Sequence, residues 1–251
     1  MKAEEEGIHD AVATVYGELA RSGGRQAAGC CTVEPPVSAD YSAEELASVP
    51  RAAYLGAGSG NPVRYAGLQP GEAVIDLGSG AGIDSFLAAN QVGPSGRVFG
   101  FDLTPEMIAR ARQNASGGYS NVSFEQAKIE HLPLDAATAD VAISNCVINL
   151  SPDKSKVFRE IFRVLRPGGR IAISDIVLRG DPDAVESVRR NPELAKWCAC
   201  VLGALRQEEY LQVIRSAGFV DVKLVSERPA MSQPGGGVAA VAITLTGRKA
   251  A

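Results

Sequence analysis

The residues that point most directly to chemistry are a glycine-rich run and two carboxylates close to it. The run from Val74 to Gly82 reads VIDLGSGAG, so strand-forming residues lead straight into glycines. Glycines let the backbone turn sharply and leave room for a ligand against it. Asp76 precedes the turn, and Asp102 ends the next predicted strand, where a carboxylate can accept hydrogen bonds from a ribose diol. This spacing predicts the strand–turn–helix opening of a nucleotide-binding unit.

The glycine pattern differs from the one found in dinucleotide-binding domains. Gly78, Gly80 and Gly82 follow the pattern G-x-G-x-G, whereas the dinucleotide fingerprint G-x-G-x-x-G has its third glycine one residue later. No loop suited to a pyrophosphate is evident in this stretch. A domain that binds NAD is therefore the less favoured alternative.

Five cysteines form the second group of residues with a capacity for chemistry: Cys30, Cys31, Cys146, Cys198 and Cys200. They are too few for a disulfide scaffold in a chain of 251 residues, and they lack the C-x-x-C spacing of zinc or thioredoxin-like sites. Cys146 follows a predicted strand, at the edge of the sheet where ligands bind; its alternative role is that of a small buried hydrophobe. Three thiolates beside a nucleoside site would suit a thiophilic substrate such as trivalent arsenic. We interpret Cys198 as a bystander.

Composition argues against several classes of partner. The chain is 45% hydrophobic with a net charge of −4, which gives no electrostatic reason to expect nucleic acid or an anionic membrane as a partner. No run reaches the roughly 18 uncharged apolar residues of a membrane helix, and the acidic N-terminus lacks the apolar core of a secretory signal. We expect a cytoplasmic monomer that binds small molecules.

The elements that must position these residues alternate between strand and helix from residue 73 onward. Such alternation predicts an α/β fold with a mostly parallel sheet and helices on both faces. An amphipathic helix is predicted over residues 8–21 and another helix over 83–92. Seven strands are predicted near residues 73–77, 97–101, 122–125, 139–144, 170–176, 220–226 and 238–246, the last two as a closing hairpin.

Capping and proline signals predict where several helices begin or end. Thr104–Pro105 predicts a helix start with the threonine as cap, and Ser151–Pro152 predicts the same for a helix near residues 153–165. Gly168–Gly169 predicts the end of that helix and a turn into the next strand. The capping box in Ser42–Glu45 predicts the start of a short helix.

The chain from about residue 72 to 178 resembles the class I S-adenosylmethionine methyltransferases. The stretches that carry this resemblance are Asp76–Gly82, Asp102, Ile129–Glu130, Asp140–Asn145 and Arg163–Gly169. The resemblance implies a Rossmann-like fold built on a mostly parallel seven-stranded sheet, with an N-terminal helical cap and a C-terminal extension. It also implies S-adenosylmethionine as the cofactor.

Three further segments narrow the resemblance to the arsenite S-adenosylmethionine methyltransferases. The segment Ser144–Lys154, SNCVINLSPDK, resembles a segment diagnostic of that family. Cys200–Leu205 resembles the segment with its second arsenic-binding cysteine, and Gly29–Cys31 resembles its N-terminal cysteine site. Ala57 stands where family members often carry another cysteine, which leaves open whether arsenite or methylarsenite is preferred.

The resemblance implies a role for each matching residue. Cys146 and Cys200 would be the principal As(III) ligands, with Cys30 or its neighbour Cys31 as the third. The cofactor would be bound by Asp76, Gly78, Ser79, Gly80, Gly82, Asp84, Asp102, Leu103, Met107, Ile129, Glu130 and the Asn145 backbone. The implied activity is methylation of arsenicals for detoxification, with a thiol reductant, glutathione or thioredoxin, as co-substrate. The alternatives are a methyltransferase of an organic acceptor, such as a quinone or sterol precursor, and a cofactor-binding domain without activity.

These assignments divide the chain into three regions. Residues 1–70 would form a cap that carries Cys30–Cys31, since they lack a core of their own. Residues 71–178 would form the core that binds S-adenosylmethionine. Residues 179–251 would supply the second arsenic-binding segment and the closing strands.

Overall fold

The computed structural model describes residues 2–24, 40–190, 199–230 and 237–251. Cys30, Cys31 and Cys198 lie outside the described residues, so the roles assigned to them stay predictions. None of the helices in the described part of the chain combines the length and apolar character needed to cross a membrane.

Within the described ranges, seven strands form one mixed sheet in the order β3-β2-β1-β4-β5-β7-β6. Their bounds are β1 Ala73–Leu77, β2 Arg97–Asp102, β3 Val122–Gln126, β4 Ala139–Asn145, β5 Leu165–Arg179, β6 Phe219–Pro229 and β7 Ala239–Lys249. The first five pair in parallel, and β7 pairs antiparallel with both β5 and β6. The predicted fold class, a mostly parallel seven-stranded sheet closed by a hairpin, is confirmed.

The helices cover both faces of this sheet. Their bounds are α1 Lys2–Ser22, α2 Ala43–Ala47, α3 Pro62–Tyr65, α4 Ile83–Val92, α5 Pro105–Ala115, α6 Lys154–Val164, α7 Pro182–Arg189, α8 Ala199–Leu202 and α9 Gln207–Ser216, with 3₁₀ turns at Arg51–Ala53 and Ile148–Leu150. Val74 packs in one apolar cluster with α4 and α5, while its neighbour Ile75 packs in another with α6 and α9. Successive strand residues point to opposite faces, so β1 is buried on both sides.

The capping residue predicted for α6 is wrong. The helix begins after Asp153, whose carboxylate accepts a hydrogen bond from the Lys156 N–H at 2.8 Å. Ser151 does not cap it, because its hydroxyl oxygen accepts from the N–H of Asp153, which precedes the helix, while the hydroxyl donates to Glu130. An aspartate at this position satisfies one of the N–H groups that a helix leaves open, and its charge suits the helix N-terminus.

The role predicted for Gly168–Gly169 at the end of α6 is also wrong. The helix stops at Val164, and Leu165 already pairs with Ala139 of β4. Gly168–Gly169 therefore lies inside β5, beside an irregularity in the β4–β5 pairing. The backbone pairing of Leu165 ends the helix earlier than the glycine signal predicts.

Of the other two capping predictions, the one for α5 is met in position only and the one for α2 is confirmed in full. Thr104 stands at the N-cap of α5, but its side chain makes no capping bond there. The capping box before α2 is confirmed, because Glu45 N–H donates to Ser42 Oγ at 3.1 Å and Ser42 N–H donates to Glu45 Oε2 at 2.6 Å.

Candidate functional site

A cavity opens at the carboxyl ends of β1, β2 and β4, the edge at which parallel sheets bind ligands. Its walls come from the glycine turn after β1, from the segments that follow β2, β3 and β4, from the loop at residues 54–58, and from one face of α1. The cofactor residues predicted from the sequence that line it are Gly78, Ser79, Gly80, Asp84, Asp102, Leu103, Met107, Ile129, Glu130 and Asn145. Asp76 and Gly82 are not among its lining residues.

The glycine turn depends on conformations that other residues rarely adopt. Gly78, Gly80 and Gly82 have φ values of 66°, 53° and 100°. A side chain on Gly78 would overlap Val147, and a Cβ on Gly82 would lie 2.7 Å from the Phe86 ring. The turn is therefore built for glycine both by its backbone conformation and by close packing.

Asp102, at the end of β2, is hydrogen-bonded to the backbone of this turn. Its Oδ2 accepts from the Gly80 N–H at 2.9 Å, and its Oδ1 accepts from the Thr104 N–H at 2.8 Å. Burial raises the pKa of this carboxyl above its usual value, although the backbone bonds oppose the shift. Each carboxylate oxygen can accept more than one hydrogen bond, so Asp102 keeps capacity for a ligand's hydroxyl groups.

Two buried carboxyl groups lie behind and beside the turn. Asp84 accepts from the Tyr41 hydroxyl at 2.7 Å and from Asn145 Nδ2 at 3.0 Å, and burial raises its pKa to about 6. Asp76 accepts from Ser85 Oγ at 2.6 Å, and burial raises its pKa well above the ordinary value, aided by the charge of Asp84. All these hydrogen-bond donors are neutral, so a cationic ligand in the cavity would stabilise the ionised carboxylates.

The side chain of Asn145, at the end of β4, is hydrogen-bonded to the loop at residues 58–60. Its Oδ1 accepts from the N–H groups of Ser59 at 2.9 Å and Gly60 at 3.2 Å, while its Nδ2 donates to the Gly60 carbonyl at 2.8 Å. A Cβ on Gly58 would lie 2.7 Å from the same amide. The sequence analysis assigned only the backbone of Asn145 to the site, whereas its side chain organises two walls of the cavity.

The structure brings Cys146 and Cys200 together across 54 residues of sequence. Their Sγ atoms lie 3.3 Å apart, and both residues are buried, with exposed fractions of 5% and 0%. Cys146 follows β4 with a φ of 60°, a conformation that is uncommon outside glycine, and its N–H donates to the Ser174 carbonyl at 2.8 Å. This backbone conformation marks a strained position of the kind that concentrates at functional sites.

The third predicted thiol cannot be placed beside these two, because Cys30 lies outside the described residues. Within the described ranges, no group of three or more histidine, cysteine, aspartate or glutamate side chains is arranged to hold a metal ion. Cys146 and Cys200 as arsenic ligands therefore stay a prediction, supported by the place of Cys146 in the cavity wall and by the proximity of Cys200 to it.

One face of α1 contributes residues that the sequence analysis missed. His9, Val12 and Tyr16 line the cavity at the i, i+3, i+7 spacing of a helix face, and the Tyr16 hydroxyl lies 3.9 Å from Cys200 Sγ. Tyr41 was also missed. The helical periodicity of residues 8–21 predicted the helix, but an apolar pattern alone does not show that a histidine or tyrosine faces a ligand.

Comparisons with known proteins identify the family to which the chain is similar. A family model described as a methyltransferase domain matches residues 68–218. The chain is 46% identical over 202 residues to an arsenite methyltransferase of Halobacterium salinarum, which covers 78% of this chain and 50% of that relative. It is 33% identical over 233 residues to the arsenite methyltransferase of Homo sapiens, covering 87% of this chain and 60% of that relative.

A solved structure gives the same result at the level of the fold. The crystal structure of CrArsM, an arsenic(III) S-adenosylmethionine methyltransferase from Chlamydomonas reinhardtii, matches with a TM-score of 0.69 and 34% identity. The match covers 86% of this chain and 73% of that one. The chain spans about half to two thirds of the length of the curated relatives it matches.

Proposed function

Because this chain belongs to the arsenite methyltransferases, a family of S-adenosylmethionine-dependent enzymes, we propose that it methylates trivalent arsenic held by cysteine thiolates. The observation that carries the proposal is the 3.3 Å separation between the Sγ atoms of Cys146, which lines the cavity, and Cys200, which lies behind it. Two sulfur atoms at this distance are within reach of one atom through bonds of about 2.3 Å, the length found at zinc–thiolate sites.

The residues around the cavity fit S-adenosylmethionine. Asp102 would accept hydrogen bonds from the ribose, and the buried carboxylate of Asp84 would face the positive charge of the methionine part, with Asp76 behind it. Leu103 and Met107 would pack against the adenosine, and Ile129–Glu130 would contact the adenine. When bound, the cofactor supplies a methyl group that its sulfonium already activates.

The cysteines would bind arsenic by exchanging oxygen for sulfur. Each thiol replaces one hydroxyl group on arsenic, and the thiol proton leaves with that hydroxyl as water. Arsenic(III) with three sulfur ligands keeps a lone pair, so it can act as the nucleophile without losing a proton. No general base is therefore required, and positioning accounts for most of the protein's contribution.

The apolar surroundings of the thiols support this role. Cys146 and Cys200 belong to a buried cluster with Leu150, Ile176 and Val201, which keeps water away from arsenic–sulfur bonds. Thiolates are also the ligands that a soft, thiophilic centre prefers. Cys30 or Cys31 would complete the three-sulfur set.

The methylated product is formally pentavalent, so it needs two electrons before release or another round. Two thiol groups supply them by forming one disulfide, and a reductant such as glutathione or thioredoxin would then restore the thiols. Ala57 lines the cavity, at the position where related sequences often carry a cysteine, so the preference between arsenite and methylarsenite is a question for product speciation.

A methyltransferase of an organic acceptor would use the same cofactor site. Such an enzyme needs a broad apolar acceptor pocket with a base near a hydroxyl group or carbon. The cavity wall next to the glycine turn carries Cys146 instead, with Cys200 directly behind it. This pair favours the arsenical over a quinone or sterol precursor.

Three serine variants test the proposal against a matched control. Cys146→Ser and Cys200→Ser should each abolish arsenite binding and arsenite-dependent methylation, measured by calorimetry and product speciation, while binding of S-adenosylhomocysteine is retained. Cys198→Ser is the control and should retain both. Full methylation by either of the first two variants would refute the ligand assignment, and methylation of a quinone but not of arsenite would favour the organic acceptor.

A further inference from the structure

His9 is a polar residue of the cavity wall that no step of the proposed function uses. It lies on α1, lines the cavity, and is 13% exposed. Its Nε2 lies 3.1 Å from Glu130 Oε1, which also accepts a hydrogen bond from the Ser151 hydroxyl. The ring is therefore held in one orientation by a carboxylate that is itself held from a second side.

This contact determines which nitrogen of the ring carries the proton. Glu130 Oε1 already accepts from the Ser151 hydroxyl, so it is the acceptor in its contact with His9 as well, and Nε2 of His9 is the donor. In a neutral imidazole the other nitrogen, Nδ1, is then an acceptor. Among the described residues Nδ1 has no hydrogen-bond partner, although it is buried. Buried polar atoms nearly always have a partner, since leaving one unpaired is costly.

We propose that Nδ1 of His9 accepts a hydrogen bond from an N–H or O–H group of a ligand in the cavity, which makes His9 a binding residue. The inference rests on the proposed function, which supplies two sources of such a donor. One is the nucleoside of the cofactor, with its amino and hydroxyl groups, and the other is the hydroxyl group that arsenic keeps until the third thiol replaces it. Both carry the N–H or O–H hydrogen that an unprotonated ring nitrogen accepts.

The rival explanation is that His9 serves only to fasten α1 to Glu130. Two substitutions separate the two roles by the reach of their side chains. In His9→Gln the amide can occupy the place of Nε2 and still donate to Glu130, but nothing occupies the place of Nδ1. In His9→Asn the amide oxygen can occupy the place of Nδ1, but the contact with Glu130 is lost.

The test measures two ligands separately by calorimetry on the whole chain: S-adenosylhomocysteine alone, and sodium arsenite with S-adenosylhomocysteine present. We expect His9→Gln to bind one of them about fivefold to tenfold more weakly, the loss expected for one hydrogen bond, while His9→Asn stays close to the wild type. The ligand that is weakened identifies the source of the donor.

Two results would overturn the inference: His9→Gln binding both ligands as the wild type does, or His9→Asn losing as much affinity as His9→Gln. The second result would mean that the contact with Glu130 matters and that the position of Nδ1 does not. Wild-type protein that binds S-adenosylhomocysteine but not arsenite would refute the proposed function and still leave the cofactor arm of this test in force.

Discussion

A side chain on Gly203 would overlap the carbonyl oxygen of Asn149. Gly203 directly follows α8, which carries Cys200, and Asn149 lies in the 3₁₀ turn just after Cys146. The two segments that carry the cysteines therefore meet backbone to backbone, with no side chain between them. This close approach holds the two Sγ atoms at their short separation.

Gly203→Ala should therefore weaken arsenite binding more than cofactor binding. The added methyl group must push α8 away from the 3₁₀ turn, which separates Cys200 from Cys146 and lowers the free energy of unfolding by about 1–3 kcal/mol. Calorimetry with arsenite and with S-adenosylhomocysteine, together with urea unfolding, measures the three effects. Gly117→Ala is the control, because a Cβ there would meet only the Asn114 carbonyl at 3.9 Å; equal arsenite affinity in both variants would contradict the prediction.

Gly78→Ala should disrupt the glycine turn through two separable effects. The new Cβ would overlap Val147, and the φ of 66° is unfavourable for alanine. Val147→Gly removes the three Val147 side-chain atoms that would overlap the new Cβ but leaves the backbone conformation of residue 78 unchanged. In thermal unfolding and S-adenosylhomocysteine binding, the double variant should recover part of what Gly78→Ala loses. No recovery at all would show that the backbone conformation alone excludes a side chain.

The strands of the core could be predicted because they are short, mostly apolar runs bounded by turns. In β1, Val74 and Ile75 are buried on opposite faces of the sheet, and Asp76 is the polar residue in the run. The cap of α6 could not be predicted in the same way. Ser151 and Asp153 are both good capping residues, and it is the fold that puts Ser151 against Glu130, distant in sequence, and the Asp153 carboxylate on the Lys156 N–H.

The residues of the candidate site also differ in whether the sequence predicts them. Cys146 was predicted to face the ligand crevice from its place at the end of a strand, because strand order alone defines that edge of the sheet. His9 and Tyr16 could not be predicted there, because their place depends on how α1 packs against residues more than 100 positions away. The part of a site that comes from one parallel sheet is readable from sequence, whereas the part that comes from packing of a distant helix is not.

Binding of S-adenosylhomocysteine should weaken as the pH falls through about 6. The pKa of Asp84 is raised to about 6 by burial, so below that pH its carboxyl is protonated and loses its attraction for the ligand's ammonium group. Binding near pH 6 should then release protons, which calorimetry in two buffers of different ionisation enthalpy counts. Asp84→Asn should bind more weakly at pH 7.5 and lose most of this proton release; an unchanged proton count would exclude Asp84 as its source.

Asp175→Asn should change how the stability of the protein depends on pH. Asp175 is 1% exposed, and burial raises the pKa of its carboxyl to about 6, although the Ile176 N–H and the Tyr210 hydroxyl hydrogen-bond to it at 2.9 and 3.1 Å. In the unfolded chain the carboxyl of Asp175 has the ordinary aspartate pKa of about 4. Between these values the folded state holds the extra proton, so the free energy of unfolding falls as the pH rises, by about 3 kcal/mol in total.

Asparagine carries no such proton, so the stability of Asp175→Asn relative to the wild type should rise between pH 4 and pH 7 by an amount on the order of 3 kcal/mol. Urea unfolding at half-unit steps of pH measures this difference directly. Asp183→Asn is the matched control, since Asp183 is an exposed aspartate at the start of α7, and its curve should run parallel to that of the wild type. A parallel curve for Asp175→Asn as well would mean that this carboxyl stays ionised in the folded protein, held by Tyr210, the backbone N–H groups and the nearby Lys154 charge.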